Sequence, residues 1–573
     1  MSKVTNRTTC LMMSVFLLAI LCTAAAGKII YVDDDAAWAN NGSCWEDAYI
    51  YLQDAMADAN SAEKPVEIRV AQGIYMPDQG AIQTPGDREA TFWLINGVTL
   101  KGGYAGLGEP NPDARDIELY ETILSGDLNG DDIQVDDPFD LKNEPTRAEN
   151  SYNVVTGRGA DETTVLEGFT ISAGNANVFA HNNGGGLFNQ YGTPRICNCA
   201  FKGNSAWHGG GMDNIGNSSP ILMNCIFSGN EAHYGGGMHN GGIHSNPVLT
   251  NCTFIGNAAG YGGGMYNWYG SPNLIDCTFS ANQSGIGGGM SNDHDGNPVL
   301  INCTFSENSA RYGGGMMNER NSNSKLANCT FKANLAEYGG GMSNFNSYPI
   351  LTGCRLTANS VDFYGGAMYN HTSNLTLANC ILVGNTAQIY GGVLSNDQSN
   401  PILTNCTFSG NSAPRGSVLA CNSRAQKEPS TIMIISCILW NGRDEIWNND
   451  NSEIVVAYSD VQGGWPGTGN IDLDPLFADP GYWVDVNDPN VIIEPSDPND
   501  DLWVDGDYHL KSQAGRWNPN SESWVIDDVT SPCIDAGDPL TPVMYEPHPR
   551  GCFINMGAYG GTEKASKSLV NSP

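Results

Sequence analysis

Between about residues 184 and 413, apolar and polar positions follow one recurring line, N-P-x-L-x-N-C-T-F-x-G-N-x-A-x-Y-G-G-G-M-x-N. Its cysteine falls at Cys199, Cys225, Cys252, Cys277, Cys303, Cys329, Cys354, Cys380 and Cys406, spaced 25 to 27 residues apart. A fixed period of this size marks a solenoid, whose units bury their apolar faces only against one another. Helix pairs are excluded, because every unit carries Gly runs and Asn, and most carry Pro; these residues break helices and mark turns. Short alternating runs lie between the turns, such as Cys252-Thr253-Phe254 and Cys303-Thr304-Phe305, and alternation is a strand signal. Three short strands with tight turns account for roughly 20 to 28 residues per coil. The pattern therefore predicts an all-β parallel β-helix, its coils stacked at ~4.8 Å, so that nine span roughly 40 Å.

Stacking turns each repeat position into a column. Two residues after each Cys stands Phe or Leu, from Phe201 and Phe227 to Leu382 and Phe408; both columns face inward by alternation. Met212, Met238, Met265, Met290, Met316, Met342 and Met368 form a third column, of flexible thioethers suited to an irregular interior. Asn204, Asn230, Asn257 and their successors to Asn411 form a fourth. It is expected to sit in left-handed turns and to bond along the stack. The tyrosines before the glycines, such as Tyr234, Tyr261, Tyr312 and Tyr338, read either as a platform for sugar rings or as ring-on-ring support of the coil. The Cys column reads as small buried thiols, since no C-x-x-C pair or zinc spacing accompanies it.

The flanks differ from this array. Lys3 and Arg7, an apolar run Leu11–Leu21 and Ala24-Ala25-Ala26 read as a secretory signal over 1–26. The run is too short to span a membrane, so a secreted or cell-surface protein with no membrane span after cleavage is expected. Residues 27–90 are expected to form an N-terminal cap, with an amphipathic capping helix over Trp45–Ala59. Residues 91–475 are expected to form the β-helix, and 476–573 a loop-rich acidic module. The formal charge is −35, and little of it lies in the array, where seven basic residues face ten acidic ones. No basic face exists for nucleic acid.

Candidate chemistry appears where columns break. Asp293-His294-Asp295 replaces a neutral turn, and Glu319-Arg320 occupies the matching turn one coil later. Stacking brings them close, as carboxylates, a His and an Arg able to do acid–base work on a sugar; solvent-facing turns contain the same residue types. Scarce cations on the rod argue against β-elimination of an acidic polysaccharide. Asp127, Asn129 and Asp131 alternate around Gly130 like the first half of a calcium loop. The twelfth position is Pro138 rather than Glu, and a solvated acidic turn reads equally well.

The repeats resemble those of polymorphic outer-membrane proteins. Phe201-Lys-Gly-Asn204 and Phe227-Ser-Gly-Asn230 match their F-x-x-N, and Gly365-Gly366-Ala367-Met368 their G-G-A-[ILV] partner. The N- and C-terminal segments YVDDDA and Asn555-Met-Gly-Ala-Tyr-Gly-Gly561 resemble those of large secreted right-handed parallel β-helix proteins of the pectin-lyase-like superfamily. The resemblance implies a right-handed β-helix and leaves activity open. Two functional readings follow, beside a third in which the rod is only a structural spacer in an envelope or matrix. One is a secreted β-helix that binds or adheres to extracellular polysaccharide or a cell-surface component. The other is a polysaccharide-degrading lyase or hydrolase acting in a groove along the rod. A disulfide between Cys533 and Cys552 is plausible in an oxidising compartment.

Overall fold

A computed structural model describes residues 27–423, 429–442, 444–493, 501–543 and 545–569. The expected signal segment, 1–26, lies outside the described residues. The chain winds into a parallel β-solenoid whose strands form four ladders. Each is named here after the residue its array strands carry or flank. A leucine ladder of 15 strands runs from Lys28–Val32 to Glu453–Ala457, and a phenylalanine ladder of 14 from Gly73–Tyr75 to Asp460–Val461. A tyrosine ladder of nine strands runs from Asn175–Ala176 to Thr386–Ala387, and a methionine ladder of 13 from Phe92–Trp93 to Ile446–Asn448.

An array coil therefore has four short strands rather than the three expected. The added one is the stretch between the Asn and Gly columns, for example Glu231–Tyr234. The Gly run after it is pressed against the coil: a Cβ on Gly236 would lie 2.5 Å from the Ala258 carbonyl oxygen and 2.6 Å from that of Gly263.

Register is exact in type along the stack, Leu222 on Leu249, Phe227 on Phe254, Met238 on Met265. These columns and the Cys column fill one continuous core. Phe201, Phe227, Phe254, Phe279, Phe305 and Phe331 stack with centroids 4.6 to 4.7 Å apart and planes within 5°. The array thiols are buried and unoxidised, each donating to the carbonyl two residues back, as Cys225 does to Met223 at 3.4 Å. Burial pushes the Cys199 thiol up to about 12, so it stays protonated and inert.

The Asn column is a buried hydrogen-bond ladder. Asn282 Nδ2 donates to Asn308 Oδ1 at 2.9 Å and to the Phe254 carbonyl at 2.9 Å, while its Oδ1 accepts from Asn257 Nδ2. The ladder passes through Asn411 and Asn441 and ends on Glu445, whose Oε2 accepts from Asn441 Nδ2 at 2.6 Å. Contrary to expectation these Asn are not left-handed. The left-handed positions are the residue before each, such as Gly229, Ala281 and Ala333, and the residue before the Cys, such as Asn224 and Asn251. A second buried Asn ladder, from Asn189 through Asn292 to Asn396, runs along the methionine strands with 2.8 to 3.0 Å bonds.

The capping helix α1 spans Leu52–Ser61, later than expected, because the segment from Trp45 makes turns that seat its indole between Tyr31 and Tyr104. Leu52, Ala55, Met56 and Ala59 face the core over the first strands. Among the described residues no helix is long and apolar enough to cross a membrane. Beyond the last coils, antiparallel strands Tyr482–Asp485, Asp488–Ile493 and Asp501–Val504 form a small sheet. It packs on the outer face of the phenylalanine ladder, Trp483 and Trp503 lying against Ile381, Val383 and Ile438. Trp483 Nε1 donates to the Gly410 carbonyl at 2.8 Å. Cys533 and Cys552 do not pair. Cys533 is buried with its Sγ 3.1 Å from Asp460 Oδ2, and Cys552 is exposed.

Candidate functional site: a groove between the tyrosine and methionine ladders

The outward side chains of the methionine ladder meet the rings that end the tyrosine strands. Tyr234 lies 5.1 Å from Tyr266, Tyr312 5.6 Å from Phe345, and Tyr338 5.6 Å from Tyr369, all centroid to centroid. The two surfaces thus meet in a packed corner running with the stack, and its outer edge is called the groove. Along the tyrosine column, ring faces are spent on neighbours: Tyr312 on Tyr338 at 4.9 Å and 11°, Tyr364 on Tyr390 at 4.0 Å and 11°. Of the two readings, this favours ring-on-ring support, leaving phenolic edges to line the groove.

The last residues of successive methionine strands form a column, Trp268, Asp293, Glu319, Phe345, His371 and Asp397, paired in register at every step except Asp293 to Glu319, where the ladder pairing stops one residue earlier at Asn292 and Asn318. Here the structure gathers four of the five residues singled out from the sequence. Asp293 is buried, and its Oδ2 accepts from Arg320 at 2.9 Å and from the Tyr266 hydroxyl at 3.1 Å. His294 Nδ1 lies 2.9 Å from Asp293 Oδ1, off the line of a hydrogen bond. Arg320 also lies 3.7 Å from Glu319 Oε1. Glu319 occupies the rung beside Asp293, and burial together with the Asp293 charge lifts its carboxyl above the ordinary value. Burial and Asp293 likewise push the Tyr266 phenol up. Asp295 stands exposed outside this network; its backbone is left-handed, which turns the side chain off the column.

Trp268, 43% exposed, borders the cluster, with Tyr269 5.4 Å from His294. Sequence reasoning missed Trp268, Tyr266 and Tyr269; the columns of Trp268 and Tyr266 hold no fixed residue type, so neither shows as a break. It also missed two further Asp–His pairs in the same ladder, Asp213–His239 at 2.7 Å and Asp397–His371 at 2.8 Å. His208, 5.1 Å from His239, is held down to about 4 by burial, then by the neighbouring histidines.

The arrangement sets the buried, Arg320-paired Asp293 beside Glu319, whose carboxyl is raised by burial and by the Asp293 charge, and carboxyl groups held in different environments are what acid–base work requires. For a cation, the structure brings together Asp127, Asp131 and Glu149, with one ligand oxygen from each within 4.8 Å of the others. Asn129 is not part of this group. The Asp127 carboxylate accepts the backbone N–H groups of Gly130, Asp131 and Asp132, so the loop is closed by its own first residue.

Residues 267–408 match the family model described as the right handed beta helix region. The rod is a right-handed parallel β-helix. Residues 485–537, within the C-terminal module, match a model described as disaggregatase related. No curated protein matches the chain. Similar solved structures include pectate lyase Pel9A, at 11% identity over 93% of this chain and 96% of that one, with a TM-score of 0.31. A rhamnogalacturonan lyase is 11% identical over 79% and 91%, with a TM-score of 0.26. The tailspike protein of E. coli bacteriophage HK620, in complex with pentasaccharide, is 13% identical over 71% and 60%, with a TM-score of 0.26. At such identities and scores these likenesses carry nothing about activity. The matched β-helix model bears on the coils; the outer-membrane repeat remains a resemblance.

Proposed function

We propose that the chain is a secreted or cell-surface β-helix that binds extracellular polysaccharide in the groove between the tyrosine and methionine ladders. The observation that carries this reading is the column Trp268–Asp293–Glu319–Phe345–His371–Asp397. It sets aromatic surface and convergent hydrogen-bonding groups one rung apart, at ~4.8 Å, along a linear path. An extended glycan presents hydroxyls and apolar ring faces in the same linear way. The test is titration of neutral and acidic polysaccharides against the wild type and Trp268→Ala. Binding weakened about tenfold or more by Trp268→Ala supports the reading; undiminished binding removes it from this groove.

A second reading, cleavage of the bound glycan, is favoured by one observation, the raised Glu319 beside the Arg320-paired Asp293. Glu319 would then protonate the glycosidic oxygen as general acid, and Asp293 would serve as base or nucleophile on the adjacent rung. Release of reducing ends that vanishes in both Glu319→Gln and Asp293→Asn, with binding retained, would establish it. Calcium narrows to Asp127, Asp131 and Glu149 as a support for the loop. A Tm raised by calcium over a chelator control, and unresponsive in Glu149→Gln, is the outcome that supports it.

A further inference from the structure

The early tyrosine strands also carry a cavity that the groove does not use. The segment Pro138–Asn143, a short 3-10 helix, lies against the early tyrosine strands. Together with the chain around Phe179 it encloses a cavity of about 780 Å³, lined among others by Phe139, Lys142, Phe179, Trp207, Glu231 and His233. That volume suits a small ligand.

Its lining is chemically selective. Trp207 is 50% exposed and stacks one face on His233, with centroids 4.3 Å apart and planes at 23°. Half of its surface is therefore left for a second flat partner. Phe179, 97% exposed, stands at the rim with no packing partner among the described residues. Lys142 Nζ donates to the buried Glu231 carboxylate at 3.0 Å, so the two charges cancel. Burial and then Lys142 hold His233 below its ordinary value, and it adds no positive charge near neutrality. The side-chain amides of Asn143 and Asn182 also line the cavity and make no hydrogen bond among the described residues. An aromatic face, unspent amides and a net charge of zero select a ring that is apolar on its face, hydroxylated at its edge and uncharged.

We propose that this cavity is a second carbohydrate site, separate from the groove, that takes a neutral pyranose stacked on Trp207 with its hydroxyls on Asn143 and Asn182. The cavity lining contains none of the groove column's residues, so one protein can hold two points of a glycan or two glycan chains. Bivalent attachment of this kind strengthens retention on a polymer without new contacts at either site.

The experiment titrates cellohexaose, mannohexaose, laminarihexaose and an oligogalacturonate into the full chain by calorimetry. It compares the wild type with Trp207→Ala, Phe179→Ala and, as the groove control, Trp268→Ala, each checked for an unchanged thermal melt. The expected result is that at least one neutral hexaose shows a binding event that is weakened at least tenfold by Trp207→Ala, less by Phe179→Ala, and that persists in Trp268→Ala, whatever that variant does to binding in the groove. Binding that Trp207→Ala leaves unchanged, binding confined to the uronate, or no binding of any neutral hexaose overturns the proposal. Loss in Trp268→Ala alone would keep the groove and remove this site, so the two readings fail separately.

Discussion

At the residue scale, buried amides do the specifying. Asn282 serves four partners at once: the Phe254 carbonyl, Asn308 Oδ1, and both the backbone and side-chain nitrogens of Asn257. Asn282→Ala strands these groups in a dry interior, at about 1–3 kcal/mol for each one left unmade. The expected outcome is a loss of about 3 kcal/mol or more in denaturant unfolding, far above that of a surface Asn→Ala. The ladder's last acceptor behaves differently. Burial raises Glu445 to about 7, and burial likewise raises Glu546 to about 7. Both hold a proton in the folded chain that the unfolded chain has released near neutrality, so stability falls as pH rises through this range. Between pH 6.5 and 8 the expected loss is about 1 kcal/mol per group. Thermal melts at the two pH values check it, and a Glu445→Gln/Glu546→Gln variant should lack the difference. Below about pH 6.5 neutral His208, held near 4, opposes the trend, because the unfolded imidazole binds a proton there.

At the element scale, glycines decide what can touch. A Cβ on Gly410, at φ +63°, would sit 2.1 Å from the Trp503 ring, and one on Gly384 2.4 Å from it. Those bare backbones let the indole of the C-terminal module lie flat on the phenylalanine ladder, where Arg355 also pairs with Asp505. Gly410→Val should detach the module while the coils stay folded. Limited proteolysis should then cut after about residue 476, with the far-ultraviolet spectrum of the rod retained; an intact, protease-resistant module would refute this account of docking. The element reading from sequence erred where geometry, rather than pattern, ruled. The strand Glu231–Tyr234 carries no core apolar alternation, since Ala232 and its column pack outside the main core. Only the pairing with Ala258–Tyr261 shows it to be a ladder.

At the scale of the whole molecule, stability is a sum over coils and nearest-neighbour contacts. Removing one full period, residues 304–329, joins Cys303 to Thr330 in the same register and should leave a folded rod shorter by ~4.8 Å. Small-angle scattering and circular dichroism check that. The same deletion takes Glu319 and Arg320 away and sets Phe345 beside Asp293, so groove function should fail while the fold survives. Architecture and chemistry are separable here because the coils are nearly interchangeable and the column breaks are not.

What the sequence determined by itself was the solenoid. The 25-to-27-residue period, the inward Cys, Phe and Met columns and the Asn ladder are all local regularities, and stacking identical positions leaves them one arrangement. It also exposed Asp293, His294, Glu319 and Arg320, because a charge in a neutral column is visible as a break. The tertiary structure decided the rest. Whether a break faces solvent or a groove depends on the corner between two ladders, which no column records. Thus Asp295, two residues from Asp293, turns away, while Trp268 and Tyr266 from the preceding coil close around the carboxylates. The cavity beneath Pro138–Asn143 joins residues some ninety positions apart, Lys142 to Glu231. Such a meeting is set by how an irregular segment folds back on a regular one, and periodicity carries no information about that.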